Sequence, residues 1–123
     1  MEDMKLGLVE SHFADIVWEN EPIHSRELVK LCDQKLNWKK STTYTVLRKL
    51  CDRGIFRNQD GMVSSLISKD EFYAIQSEKF VEETFAGSFP AFFNAFSSRK
   101  KLTPEAIAQV RRMIDSFETE EYL

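Results

Sequence analysis

The dipeptide Asp60-Gly61 narrows the fold more than any other feature of the chain. It lies between two β-prone runs, Ile55-Phe56-Arg57 and Met62-Val63-Ser64-Ser65-Leu66-Ile67, with Asn58-Gln59 completing the polar turn. Asp-Gly in that setting marks a tight hairpin. What precedes the hairpin reads as helix. Apolar residues recur at Leu6, Val9, Phe13, Ile16 and Val17, with the spacings of three and four that mark one helical face. Asn20-Glu21-Pro22 ends that segment, because proline disfavours helical geometry at the residue before it. Ile23-His24 reads as a short extended link. Ser25 is placed as the N-cap of a second helix, Arg26 to about Leu36, with Leu28, Leu31, Cys32 and Leu36 inward. A turn at Asn37-Trp38-Lys39-Lys40 leads to a third helix from about Ser41 to Arg53. Its inner face is Val46, Leu47, Leu50 and Cys51, and Gly54 follows as the C-terminal glycine. Helix, link, helix, turn, helix, hairpin is the order of a winged helix-turn-helix. That unit is predicted over residues 1–67.

Residues 68–123 carry a different pattern. Ser68-Lys69-Asp70-Glu71 has the form of a capping box. Phe72, Tyr73, Ile75, Phe80, Val81 and Phe85 give the following helix a broad apolar face, which Ala86-Gly87-Ser88 interrupts. Phe89, Phe92, Phe93 and Phe96 then place four rings on one side of a helix. Ser97 to Lys101 reads as a polar, basic loop. Thr103-Pro104-Glu105 opens a last helix with cap, first-turn proline and dipole-matched acid. Ile107, Val110, Ile114 and Phe117 form its heptad-like seam. The fold class expected is therefore mainly α with a small β-hairpin: a winged helix-turn-helix plus a C-terminal helical region at 68–123. Helical segments this small gain burial from a partner. Phe85, Phe89, Phe92, Phe93, Phe96, Ile107, Val110, Ile114 and Phe117 are accordingly expected to form a homodimer interface. An intramolecular core is the alternative.

Formal net charge is −3, yet the charge is unevenly distributed. Residues 1–21 are acidic. Residues 22–57 hold Arg26, Lys30, Lys35, Lys39, Lys40, Arg48, Lys49, Arg53 and Arg57 against only Glu27, Asp33 and Asp52, and residues 58–123 are acidic again. A basic island in an acidic chain is the footprint of a face that meets phosphates. The third helix begins Ser41-Thr42-Thr43-Tyr44-Thr45, a run of poor helix formers. In a recognition helix such residues face base edges, where hydroxyls both donate and accept. Thr42, Tyr44, Thr45 and Arg48 are the expected base contacts. Lys39, Lys40, Ser41, Lys49, Arg53 and Arg57 are the expected phosphate contacts, and the expected partner is double-stranded DNA. Trp18 and Trp38 read as packing anchors.

The same sequence argues against other classes. It has no Gly-rich phosphate loop, no Ser/His/Asp grouping near a strand turn and no clustered metal-ligand set, so no enzyme, metal or cofactor is expected. Cys32 and Cys51 are nineteen apart without a CxxC, His12 and His24 lack ligand companions, and no apolar run is long enough to span a membrane. A cytoplasmic setting fits that cysteine usage. A winged-helix module that binds protein without specific DNA recognition is the competing reading.

Nearly the whole chain, from about residue 6 to residue 117, resembles the penicillinase-repressor family of bacterial winged-helix regulators (BlaI/MecI type, with copper-responsive repressors among its members). The resemblance is carried by Phe13-Ala14-Asp15-Ile16-Val17-Trp18, by Ser25-Arg26-Glu27-Leu28-Val29, and by the run from Asn37-Trp38-Lys39-Lys40 through Ser41-Thr42-Thr43-Tyr44-Thr45-Val46-Leu47-Arg48-Lys49-Leu50. Gly54-Ile55, Ser68-Lys69-Asp70-Glu71-Phe72, Phe85-Ala86-Gly87-Ser88-Phe89 and Leu102-Thr103-Pro104-Glu105 extend it. It implies a homodimeric repressor on a palindromic operator, with three C-terminal helices that interlock the subunits. It also implies an upstream sensor protein, since in well-known members a membrane sensor triggers cleavage of the repressor. Thr42 and Thr45 fall on family recognition-helix positions. Ala95-Phe96 aligns with the cleavable Asn-Phe bond of antibiotic-responsive members, and Asn94 lies one place early, so induction by cleavage is not expected. The paired cysteines of copper-responsive members have no counterpart in residues 68–123.

Overall fold

A computed structural model describes residues 5–121 of the chain. It divides into two compact units, Met1–Lys79 and Phe80–Leu123. In the first, α1 (Leu8–Asn20) leads through β1 (Ile23–His24) into α2 (Ser25–Leu36), α3 (Lys40–Asp52), β2 (Phe56–Gln59) and β3 (Met62–Ser65). Helix α4 (Lys69–Phe85) begins in this unit and ends in the second, where α5 (Phe89–Arg99) and α6 (Pro104–Glu121) follow.

The helical periodicity read from the sequence becomes a core. Phe13, Ala14, Ile16 and Val17 of α1 are buried together with Leu28 and Cys32 of α2, Leu47 and Leu50 of α3, and Ile55, Phe56, Val63, Ile67 and Phe72. Aromatic rings tie these elements together. Phe13 stacks on Trp38 with centroids 5.6 Å apart and meets Phe56 edge-on at 6.3 Å. Trp18 packs against Phe56 and Phe72, and its indole N–H donates to the Ile67 carbonyl at 3.1 Å. Both tryptophans therefore anchor packing, and Trp18 also satisfies its one polar atom.

The hairpin forms at Asp60-Gly61. Both residues have positive φ, 54° and 92°, as a two-residue type I′ turn requires. Phe56 pairs with Ser65 and Gln59 with Met62. Ile23-His24 is more than a link: it is an edge strand, with Ile23 opposite Val63, in a three-stranded antiparallel sheet of order β1-β3-β2. Two residues are too few to show a strand period. They become a strand only because β3 offers its free edge.

Helix starts and stops also show where local chemistry was re-assigned. The cap of α2 is His24, whose Nδ1 accepts from Arg26 N at 3.1 Å, so Ser25 is the first helical residue and not the cap. Ser25 N–H instead donates to the Gly61 carbonyl at 2.7 Å. Helix α3 starts at Lys40, one residue before the expected start, with Lys39 as N-cap and without a side-chain capping bond. The Ser68 hydroxyl accepts from Glu71 N at 3.1 Å, as the capping-box pattern predicts.

In the second unit Ser88 caps α5, and the Thr103 hydroxyl accepts from Ala106 N at 3.1 Å at the start of α6. Ser97 and Ser98 lie in helix rather than loop. Their hydroxyls donate back to the Phe93 and Ala95 carbonyls, which lets α5 run to Arg99. Phe80, Phe85 and Phe92 meet edge to face, with centroids 5.7–6.2 Å apart. Yet no residue from Phe80 to Phe117 is fully buried. Phe89, Phe96, Ile114 and Phe117 stay about half exposed or more.

Phe13 is wholly buried and touches two other rings, so Phe13→Ala should lower unfolding stability by about 3–5 kcal/mol. Urea denaturation measures it; a loss under about 1 kcal/mol would mean that the core closes over the gap.

Candidate nucleic-acid interface

The rotation of α3 about its axis is set by Thr43, Leu47 and Leu50, all buried. At about 100° per residue, this seam leaves Ser41, Thr42, Thr45, Arg48, Lys49 and Asp52 on the opposite arc, and all six are exposed. The arc thus brings together three hydroxyls near the start of the helix and two cations further along. Lys39 and Lys40 are exposed at the same end. The tight entry into α3 comes from Asn37, in the left-handed conformation at φ 57°, and from Trp38 N, which donates to the Cys32 carbonyl at 3.2 Å.

One flank of the arc faces the hairpin. Tyr44, Leu47, Arg48, Cys51 and Asn58 line a groove of about 190 Å³ between α3 and β2. The Tyr44 hydroxyl donates to Ser25 Oγ at 3.1 Å, and Ser25 is buried. Tyr44 is thereby a strut between α3 and the start of α2, with its hydroxyl already committed. The same Ser25 holds the Gly61 carbonyl through its backbone N–H, so hairpin turn, α2 and α3 share one residue. Gly61 is required there. A Cβ on it would come within 2.7 Å of His24 Nε2, and its φ of +92° is strained for any L side chain. On the hairpin, Arg57, Asn58, Gln59 and Asp60 are exposed, and Asn58 Oδ1 accepts from Gly61 N at 3.1 Å.

The other flank faces α1, and here the structure differs from the expectation for Arg53. Its side chain is only 14% exposed, its guanidinium lies 3.4 Å from Glu10 Oε1, and it also donates to the Lys5 carbonyl. Arg53 closes the gap between α3 and the start of α1 and does not join the exposed arc. The physical reason is its place in the helical rotation, one step beyond Lys49 toward the buried seam. Lys49 does reach the arc, but its ammonium pairs with Glu10 Oε2 at 2.7 Å. Glu10 also accepts from Gly7 N at 3.1 Å. The Lys49 bond, then the Gly7 N–H, hold the Glu10 carboxyl below its ordinary value of 4.5 against the opposing effect of burial. Sequence reasoning missed Glu10. It lies thirty-nine positions before Lys49 on another helix, and no local pattern joins them.

The two cysteines add no reactive thiol. Burial pushes both Cys32 and Cys51 up from the ordinary thiol value. Among the described residues, no helix is long and apolar enough to cross a membrane.

With this geometry in place, one comparison decides the family. The family profile described as Penicillinase repressor matches residues 6–116. The chain belongs to the penicillinase-repressor family. It is a DNA-binding transcriptional repressor, of a family defined by regulation and not by catalysis. The match extends across the first compact unit into the second and covers all of α3. No curated protein matches the chain.

The low Glu10 pKa makes the contact between α1 and α3 pH-dependent. A depressed carboxyl stabilises the folded state above its ordinary value and ceases to do so as pH falls through the folded-state value. The stability gap between the wild type and Glu10→Gln should therefore be constant near neutral pH and shrink on acidification below about 4.5. Thermal melts of both proteins across that range measure it, and a gap independent of pH would refute the role given to the carboxylate.

Proposed function

We propose that this repressor acts as a homodimer on a palindromic operator, with α3 of each subunit in the major groove. Residues 1–67 form the DNA-binding part and residues 68–123 the dimerisation part, in the cytoplasm, under the control of an upstream sensor protein. The carrying observation is the exposed arc of α3, which presents Thr42, Thr45 and Arg48 to solvent. Hydroxyls and a guanidinium at the start and middle of such a helix suit base edges. Tyr44 supports the arc from its hairpin side, with its ring packed against the core and its hydroxyl on Ser25. Lys39, Lys40 and Ser41 at the helix start and Arg57 on the hairpin are the phosphate contacts, while Lys49 on the arc is paired with Glu10.

The dimer reading is supported by the second unit. Phe89, Phe96, Ile107, Ile114 and Phe117 are exposed on helices in which none of the described residues is fully buried. Monomers rarely carry so much apolar surface. Phe85, Phe92, Phe93 and Val110 are half-buried and form the base of that surface. Two subunits related by a twofold axis would present two copies of α3 to half-sites about one helical turn, ~34–36 Å, apart.

A gel-shift titration against the DNA upstream of its own gene tests the reading, and the absence of a discrete shift at low salt would leave a protein-interaction module instead. Thr45→Ala and Arg48→Ala should each cost about 1–3 kcal/mol of operator affinity while the fold is retained. Unchanged affinity in both would remove α3 from the interface. Phe96→Asp should convert the sedimenting species from dimer to monomer, because an unpaired charge in an apolar contact is costly. A variant that still sediments as a dimer would place the contact elsewhere.

A further inference from the structure

Lys49 stands on the arc proposed to face DNA, yet a carboxylate of the protein's own already occupies it. The pair is built rather than incidental. Glu10 is held by three donors on two helices: Gly7 N, the Lys49 ammonium at 2.7 Å and the Arg53 guanidinium at 3.4 Å. Its side chain is 18% exposed, whereas that of Lys49 is 59% exposed. The carboxylate is therefore sheltered and fixed, while the ammonium it holds remains open to solvent on its other side. A carboxylate oxygen and a phosphate oxygen offer an ammonium the same kind of anionic acceptor.

We propose that Glu10 weakens sequence-independent DNA binding by masking Lys49 as an internal stand-in for a backbone phosphate. This rests on the reading that α3 faces DNA. Sequence-independent binding is driven by the release of counterions when cations neutralise phosphates. A lysine already neutralised within the protein adds little to that release. Glu10 thus lowers the phosphate-driven affinity for the bulk of DNA. Because Arg53 is bound by the same carboxylate and by the Lys5 carbonyl, removing Glu10 frees Lys49 first.

The test is the salt dependence of binding to a mixed-sequence duplex, read by fluorescence anisotropy on the full chain. Glu10→Gln should tighten this binding roughly three- to tenfold near 0.1 M salt and steepen the log–log slope by about 0.9 for each subunit that touches DNA. Affinity and slope equal to or below wild type would overturn the proposal. Lys49→Gln keeps it falsifiable even if Glu10→Gln fails to fold. The wild-type slope should survive that change, and a fall of about 0.9 would mean that Lys49 already meets phosphate unmasked. A double variant, Lys39→Gln with Lys40→Gln, at the start of α3 separates this proposal from the one beneath it. If that variant reduces the slope but Glu10→Gln does not raise it, only the masking role falls. If it leaves the slope unchanged, the start of α3 is not on the DNA and both readings fall.

Discussion

Burial of one side of α3 is the constraint on which the rest depends. Leu47 and Leu50 enter the same core as Phe13, Leu28, Phe56 and Val63, and Thr43 is buried beside them. Once that seam is inside, the opposite arc has no freedom to choose what it shows. The helix is then clamped on both flanks by different chemistry. Toward the hairpin, Tyr44 bonds Ser25, which in turn holds the Gly61 carbonyl. Toward α1, Lys49 and Arg53 share the carboxylate of Glu10. A hydrophobic contact sets the rotation and polar contacts set the tilt. This division suits a surface that must match a rigid groove, because apolar packing is non-directional and hydrogen bonds are not.

The basic island of residues 22–57 is accordingly not one homogeneous patch. Lys39, Lys40 and Arg48 are exposed, Lys30 pairs with Glu27 at 3.4 Å, and Lys49 and Arg53 are tied to α1. Counting charges overstates what phosphates can meet. The acidic first segment, which by composition alone looks merely solubilising, supplies the carboxylate that edits the island. The exposed pair of Lys30 and Glu27 contributes little to stability; Glu10, sheltered and held by three donors, is placed to contribute more.

The second unit poses the opposite problem. Its rings meet one another, Phe80 with Phe85 and Phe92, but edge-to-face contacts among three phenyls do not close a core when every neighbour remains partly wet. A large share of the apolar area that these helices can remove from water is still outside at Phe89, Phe96, Ile114 and Phe117. At roughly 25 cal/mol per Å², that surface is the source of energy for the proposed dimer.

Much of this could be read from the chain directly. Apolar spacing located the helices, Asp60-Gly61 located the turn, and Ser68 and Thr103 located two helix starts, because each signal acts within a few residues of itself. The outward set Thr42, Thr45 and Arg48 followed from the same period. What the chain did not disclose lies between residues far apart in sequence. Ile23-His24 is a strand only beside β3, Ser25 loses its capping role to His24 while it receives the Tyr44 hydroxyl, and Arg53 turns toward α1 to meet Glu10. Local order came from the sequence because helix and turn formation depend on neighbours within one turn of the chain. Which polar group each cation and hydroxyl finally meets was decided by tertiary structure, since that depends on distances only packing can set.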